Sequence, residues 1–159
     1  MHSNVFCLKP IDEKDPIYYV EENITDYIQH ADYADEVNLL ASYAFKDIEN
    51  NLNNKIFTVF RDGNKFLVKI NKSAIKDYVD KKVSNLKEWL EKAGDDATDV
   101  VIATHSHIIT DIFDDVLDNY IIFDCECLSF DKFLYHFYNN DNYDSESVFE
   151  VYQMFDIHF

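Results

Sequence analysis

The sequence predicts an α+β fold: a mixed or antiparallel sheet with an Asp-Gly hairpin, packed by three to four helices. Three observations carry that expectation. Apolar residues recur at three- and four-residue steps in two long stretches, the mark of amphipathic helices. Short runs rich in β-branched and aromatic residues, bounded by turn-forming residues, mark strands. The two kinds of element mix without a strict βαβ repeat, so a doubly wound parallel sheet is not expected. At 159 residues, 47% of them hydrophobic and 16% aromatic, the chain is long and apolar enough for one acidic domain spanning 1–159 around a sizeable core.

Along the chain, Asn4–Leu8 is an apolar strand ended by Pro10. From Ile24 to Leu52 the pattern is mostly helical, with Tyr33, Val37, Leu40, Ala44 and Ile48 forming one stripe of a long helix. Lys55–Arg61 and Lys65–Ile70 are strands separated by Arg61-Asp62-Gly63-Asn64, where Asp-Gly signals a tight hairpin. Ser73 suits the N-cap of a helix running to Ala93, with Gly94 as its left-handed stop. Its buried stripe would be Ile75, Val79, Val83, Leu86 and Leu90, with Tyr78 and Trp89 beside it. Asp99–Thr104 reads as an interior strand, Ile108–Leu117 as a short helix and Tyr120–Phe123 as another strand. Phe130–Tyr138 is an aromatic-faced helix capped by Ser129 or Asp131, and Asn139–Ser147 a polar loop. The last strand, Val148–Phe159, alternates so that Phe149, Val151, Phe155, Ile157 and Phe159 share one face.

Charge excludes more than it assigns. The formal net charge is −17, so neither nucleic acid nor an anionic membrane surface is an expected direct partner. Two glycines and two prolines rule out a phosphate-cradling glycine loop and a Pro-rich linker. No long apolar run suggests a signal peptide or a membrane span. Cys7, Cys125 and Cys127 are an odd set, expected as reduced thiols in the cytoplasm. The charge is also unevenly placed. Residues 1–45 carry two bases against nine acids, 46–92 eleven against seven, and 93–159 only Lys132 against fifteen acids.

Two short segments resemble catalytic motifs. Val100–Thr104 followed by His105 and Ser106 resembles the strand of ABC-type and AAA-type ATPases that ends in a γ-phosphate-sensing histidine. The Walker A and Walker B patterns which that chemistry needs are missing. His105-x-His107 resembles the opening of the metallo-β-lactamase zinc motif, with Asp111 placed late for it. With Cys125 and Cys127 as further soft ligands these histidines would make a structural zinc site, and a zinc-dependent enzyme using His105 and His107 is a third reading. There is no nucleophile elbow, and paired carboxylates are too common here to single out an acid–base pair. The expectation is therefore no catalytic residue, no resident metal and no cofactor.

The acids themselves are the stronger signal. Asp111, Asp114, Asp115 and Asp118 fall at i, i+3, i+4 and i+7, one side of a helix, with Asp141, Asp144 and Glu146 behind them. Asp12, Glu13, Asp15, Glu21, Glu22 and Asp26 form a second cluster. Tyrosines and asparagines interleave the C-terminal acids, which suits an interface with an Arg/Lys-rich surface. In size, charge and surface character the chain resembles small acidic phage inhibitors of the anti-CRISPR and anti-restriction type, which mimic DNA. That resemblance implies a non-enzymatic inhibitor of a basic nucleic-acid-binding protein such as a Cas or restriction nuclease. The alternative is an immunity protein that neutralises a nuclease toxin.

Overall fold

The structure, a computed structural model, describes residues 2–93 and 119–159. They divide into two compact units: residues 2–72 together with 119–159, and a second to which the chain from Ser73 belongs. The elements are β1 (His2–Pro10), α1 (Glu21–Tyr27), β2 (Tyr33–Glu36), α2 (Ala44–Leu52), β3 (Phe57–Asp62), β4 (Lys65–Ile70) and α3 (Lys72–Ala93). After the undescribed stretch come β5 (Tyr120–Phe123), β6 (Glu126–Ser129), a helix here called α4 (Phe130–Tyr138) and β7 (Val148–His158). The class is α+β, as expected. The predicted strand at Asp99–Thr104, the helix at Ile108–Leu117 and the Gly94 stop lie outside the described residues.

One mixed sheet organises the first unit, in the order β3-β4-β7-β1-β5-β6. β7 is its spine. β1 runs antiparallel along one side of it, while β4 and β2 share the other side end to end, β4 against Val148–Val151 and β2 against Phe155–His158. β1 and β5 are the parallel pair. Between β1 and β7 the register slips: Cys7 pairs with Gln153 but Leu8 with Val151, so Tyr152 is an extra residue, a β-bulge.

That bulge corrects the expectation of a single apolar face on β7. Beyond it, Phe155 and Ile157 pack with Val5, Cys7, Ile122, Ile24 of α1 and Ile28 just after it. Before it, Phe149 lies on the opposite side, 5.6 Å in ring-centroid distance from Phe137 of α4 and 5.5 Å from Phe123. One inserted residue thus lets a single strand feed two cores, because a one-residue slip exchanges the faces. α1 closes one core. Phe130, Phe133, Leu134 and Phe137 of α4 close the other.

Three further expectations change. The long helix over 24–52 is split into α1, β2 and α2. β4 leaves the C-terminal half of β7 open, and β2 fills that edge. The Asp32 N–H donates to the His158 carbonyl at 2.7 Å and the Val37 N–H to that of Met154 at 2.8 Å. Leu40 is 83% exposed, so the stripe never forms one buried face, although Ala44, Ile48 and Leu52 keep theirs. The β3–β4 turn is not Asp-Gly. Asp62 still pairs with Lys65, and the turn residues are Gly63 and Asn64. Only Gly63 takes a positive φ there, +59°, the pattern of a turn with glycine first, whereas an Asp-Gly turn would also force Asp62 there. In α3, Ile75 is buried but Val79 is 44% exposed, while Lys82 is buried, its Nζ 4.5 Å from the Tyr78 ring centroid. The expected stripe through Val79 and Val83 is therefore not the buried one.

Candidate functional site

A cleft of about 600 Å³ opens where β1 and β5 reach their carboxyl ends. Its walls come from the loop after β1 (Asp12, Glu13, Asp15, Ile17, Tyr19), from the β5–β6 turn (Asp124, Cys125), and from Tyr143 and Tyr152. The loop is held at several points. The Ile11 N–H donates to the Val148 carbonyl at 3.2 Å, and the Tyr152 hydroxyl donates to the Ile17 carbonyl at 2.8 Å. The buried Gln153 side chain accepts from the Tyr19 N–H at 2.8 Å and donates to the Tyr19 carbonyl at 3.1 Å and to Glu36 at 2.9 Å. The bulge puts Tyr152 and Gln153 side by side beneath the loop, so the feature that splits the core also anchors the site.

Among the described residues lining it, the cleft gathers four carboxylates against one base. Lys9 is the basic residue in its wall, and Lys9 is already engaged. Its ammonium donates to the Glu13 carbonyl at 2.7 Å and stands 3.2 Å from Glu150, which Lys65 approaches at 3.5 Å. Asp12, Glu13, Asp15 and Asp124 therefore present their charge to solvent, and all four residues are exposed. Their convergence is visible at Tyr143. Its phenol is pushed above the ordinary range by burial and then by the carboxylates of Asp124, Asp12 and Glu13. Burial, with smaller contributions from Cys125 and Tyr27, raises Tyr19 to about 12, and burial raises Tyr152 as well. Burial also lifts Cys7 far up and Cys127 to about 11. These phenols and thiols stay protonated at neutral pH, hydrogen-bonding groups in place of bases or nucleophiles.

The β5–β6 turn is strained. Asp124 and Cys125 take φ of 51° and 63° between the paired residues Phe123 and Glu126. A two-residue turn of this kind needs positive φ at both positions. Aspartate tolerates that; a cysteine where glycine is favoured costs about 1 kcal/mol. The strain swings Asp124 to the cleft and brings the Cys125 thiol to the Tyr19 hydroxyl.

The residues expected to form the acidic face are distributed differently. Asp111, Asp114, Asp115 and Asp118, and the histidines His105 and His107, lie outside the described residues. Asp141, Asp144 and Glu146 are exposed in the loop between α4 and β7. Glu146 is paired with Lys69 at 2.8 Å. Asp144 caps its own loop, accepting from the Glu146 N–H at 2.9 Å, the Ser147 N–H at 2.9 Å and the Ser147 hydroxyl at 3.2 Å. Cys127 packs against the α1 core, and Cys125 sits in the turn. Asp12, Glu13 and Asp15 were visible in the sequence as a cluster; Asp124 joins them only through the parallel pairing of β1 with β5. In comparisons with protein-family models, curated proteins and solved structures, nothing matches this chain.

Proposed function

We propose that this chain is a cytoplasmic, non-enzymatic inhibitor that binds the cationic surface of a nucleic-acid-binding protein through the acidic cleft of the β1–α1 loop. The observation that carries this reading is the convergence of Asp12, Glu13, Asp15 and Asp124 on one cavity whose lysine is already paired. Beside it the same loop exposes Ile11, Ile17, Tyr18 and Val20, from 41% to 66% of their surface. Carboxylates next to exposed aromatic and aliphatic side chains suit a protein interface better than a small cation, because apolar anchors add affinity while charges steer and orient. A guanidinium entering the cleft would meet four carboxylates and the rings of Tyr19, Tyr143 and Tyr152. The three free thiols suit a reducing compartment. Among the described residues no helix is long and apolar enough to cross a membrane.

The test is inhibition of DNA cleavage by a panel of Cas and restriction nucleases. The reading expects near-stoichiometric inhibition of a target enzyme, relieved by salt. Asp12→Asn/Glu13→Gln/Asp15→Asn/Asp124→Asn combined should weaken it roughly 100-fold, with an unchanged circular dichroism spectrum. Asparagine at 124 keeps the positive φ accessible. Inhibition that survives this variant, or none across the panel, overturns the assignment.

A further inference from the structure

At the opposite end of β1 from the cleft, three strands bring two histidines and two aspartates together on one face. His2 of β1 stands opposite His158 of β7, and on the other side of β7 Tyr33 and Asp35 of β2 stand opposite His158 and Asp156. Opposed residues of neighbouring strands project to the same side, and so do residues two apart along a strand. We propose that His2, Asp156 and His158 form a zinc site that clamps β1 to the end of β7, with water completing the shell and Asp35 of β2 beside His158.

The donor atoms already have the spacing of a coordination shell. His2 Nδ1 lies 3.3 Å from Asp156 Oδ1, His158 Nε2 lies 3.4 Å from Asp156 Oδ2, and Asp35 Oδ2 is 3.7 Å from the same Nε2. A charge-assisted hydrogen bond between such groups closes to about 2.7–2.9 Å. Ligands held about 2.1 Å from one tetrahedral ion stand roughly 3.4 Å from each other. The 3.3 and 3.4 Å separations match the second spacing. The first three donors lie mutually within 4.8 Å, so one ion can reach them all.

Packing fixes the His158 ring in the orientation this requires. Tyr33 stacks on it with centroids 4.1 Å apart and an interplanar angle of 12°. The His2 ring meets it edge-on at 4.1 Å. The His158 side chain is 21% exposed, whereas that of His2 is 65% exposed, which leaves a route for an ion to enter from solvent. Two imidazoles with a carboxylate and no thiolate suit a borderline divalent ion such as zinc better than magnesium or calcium, which prefer all-oxygen shells.

Isothermal titration of the untagged chain with zinc chloride tests this. The expected result is one zinc per chain, no binding of magnesium, and a melting temperature that rises with zinc. Cobalt(II) in the same site should show the intense visible absorption of a four-coordinate ion. His2→Ala alters a largely exposed side chain, so folding is not at stake, and it should weaken zinc about tenfold or more, as should Asp156→Asn. His136→Ala, on exposed α4 positions away from the cluster, should leave the affinity unchanged. Absence of saturable zinc binding, or affinity undiminished in both ligand variants, overturns the site.

Discussion

The β1–α1 loop and the α4–β7 loop each hold three acids close together with tyrosines nearby, although the first also carries Lys14 and the apolar Ile11, Ile17 and Val20. The fold treats them oppositely. Around Asp12, Glu13 and Asp15 the anchoring hydrogen bonds come from backbone groups and from Gln153 and Tyr152, so the loop is held while its carboxylates stay free. In the second loop the carboxylates are themselves the anchors: Asp144 caps the turn and Glu146 reaches Lys69. Lys72 crosses to the Asn140 carbonyl at 2.6 Å and takes the Ser145 hydroxyl on its own N–H at 3.0 Å, adding a positive group there. Formal charge therefore overstates what a surface can offer a partner. What counts is how much of that charge the chain's own structure has already used.

The largest effect that separates the two loops is expected at Gln153. Gln153→Leu keeps the volume but leaves the N–H and carbonyl of Tyr19 without partners in a buried setting. Each such group costs about 1–3 kcal/mol. Urea unfolding should show a loss of about 2–4 kcal/mol, and binding through the cleft should weaken with it because the acids lose their fixed position. Ser145→Ala, the matching change in the other loop, should cost less than about 1 kcal/mol, since its hydrogen bond is only partly buried. Equal losses at the two positions would erase the distinction.

A second effect, of opposite sign, is expected at the turn beside the cleft. Cys125→Gly should raise stability by about 1 kcal/mol, because glycine takes φ near 63° without strain. Gly63→Ala, at φ +59° in the other hairpin, should lower it by a similar amount although nothing lies within 4 Å of the added methyl. Thermal melts of both variants check the pair. A neutral result at Cys125 would mean that this turn stores no strain for the site.

Local pattern made some of this legible and sheet pairing made the rest. β1, both strands of the β3–β4 hairpin, β5, α4 and β7 follow from runs and periodicity that lie within one stretch of chain. β2 did not, because Tyr33–Glu36 is four residues whose role is to cover an edge left by β4, a fact about distant partners. The two-faced packing of β7 was hidden for the same reason: a bulge at Tyr152 depends on what β1 does opposite it. The cleft was half legible. Its loop acids are neighbours in sequence, but Asp124 and the supporting Gln153 arrive through strand pairing. Of the His2–Asp156–His158 group only the Asp156-x-His158 pair is local, since His2 and Asp156 are 154 positions apart.

A smaller effect is expected from releasing the second loop's charge. Lys69 and Glu146 form an ion pair whose side chains are 38% and 83% exposed, so Lys69→Gln should cost less than about 0.5 kcal/mol. Its value lies in binding. With Glu146 freed, the α4–β7 loop becomes more like the β1–α1 loop, and affinity for a basic partner should rise slightly or stay level. A fall in affinity would show that Lys69 itself contacts the partner and that the count of free carboxylates is the wrong measure.

The smallest effect is confined to acid conditions and probes how Asp144 is used. Its carboxyl is held below the ordinary range first by the Glu146 N–H and the Ser147 side chain, then by the Ser147 N–H and Lys72. A group whose pKa is depressed by folding stabilises the native state above its unfolded value and loses that contribution as pH falls through the folded value. The loop should therefore stay ordered through mildly acidic pH and loosen only below the usual aspartate range. Ser147→Ala removes a hydroxyl that bonds Asp144 at 3.2 Å, and an NMR titration should then find the carboxyl moving back up toward its ordinary value. If Asp144 does not move, the Ser147 hydroxyl adds nothing to its cap, and the contrast between the two loops rests on Lys69 alone.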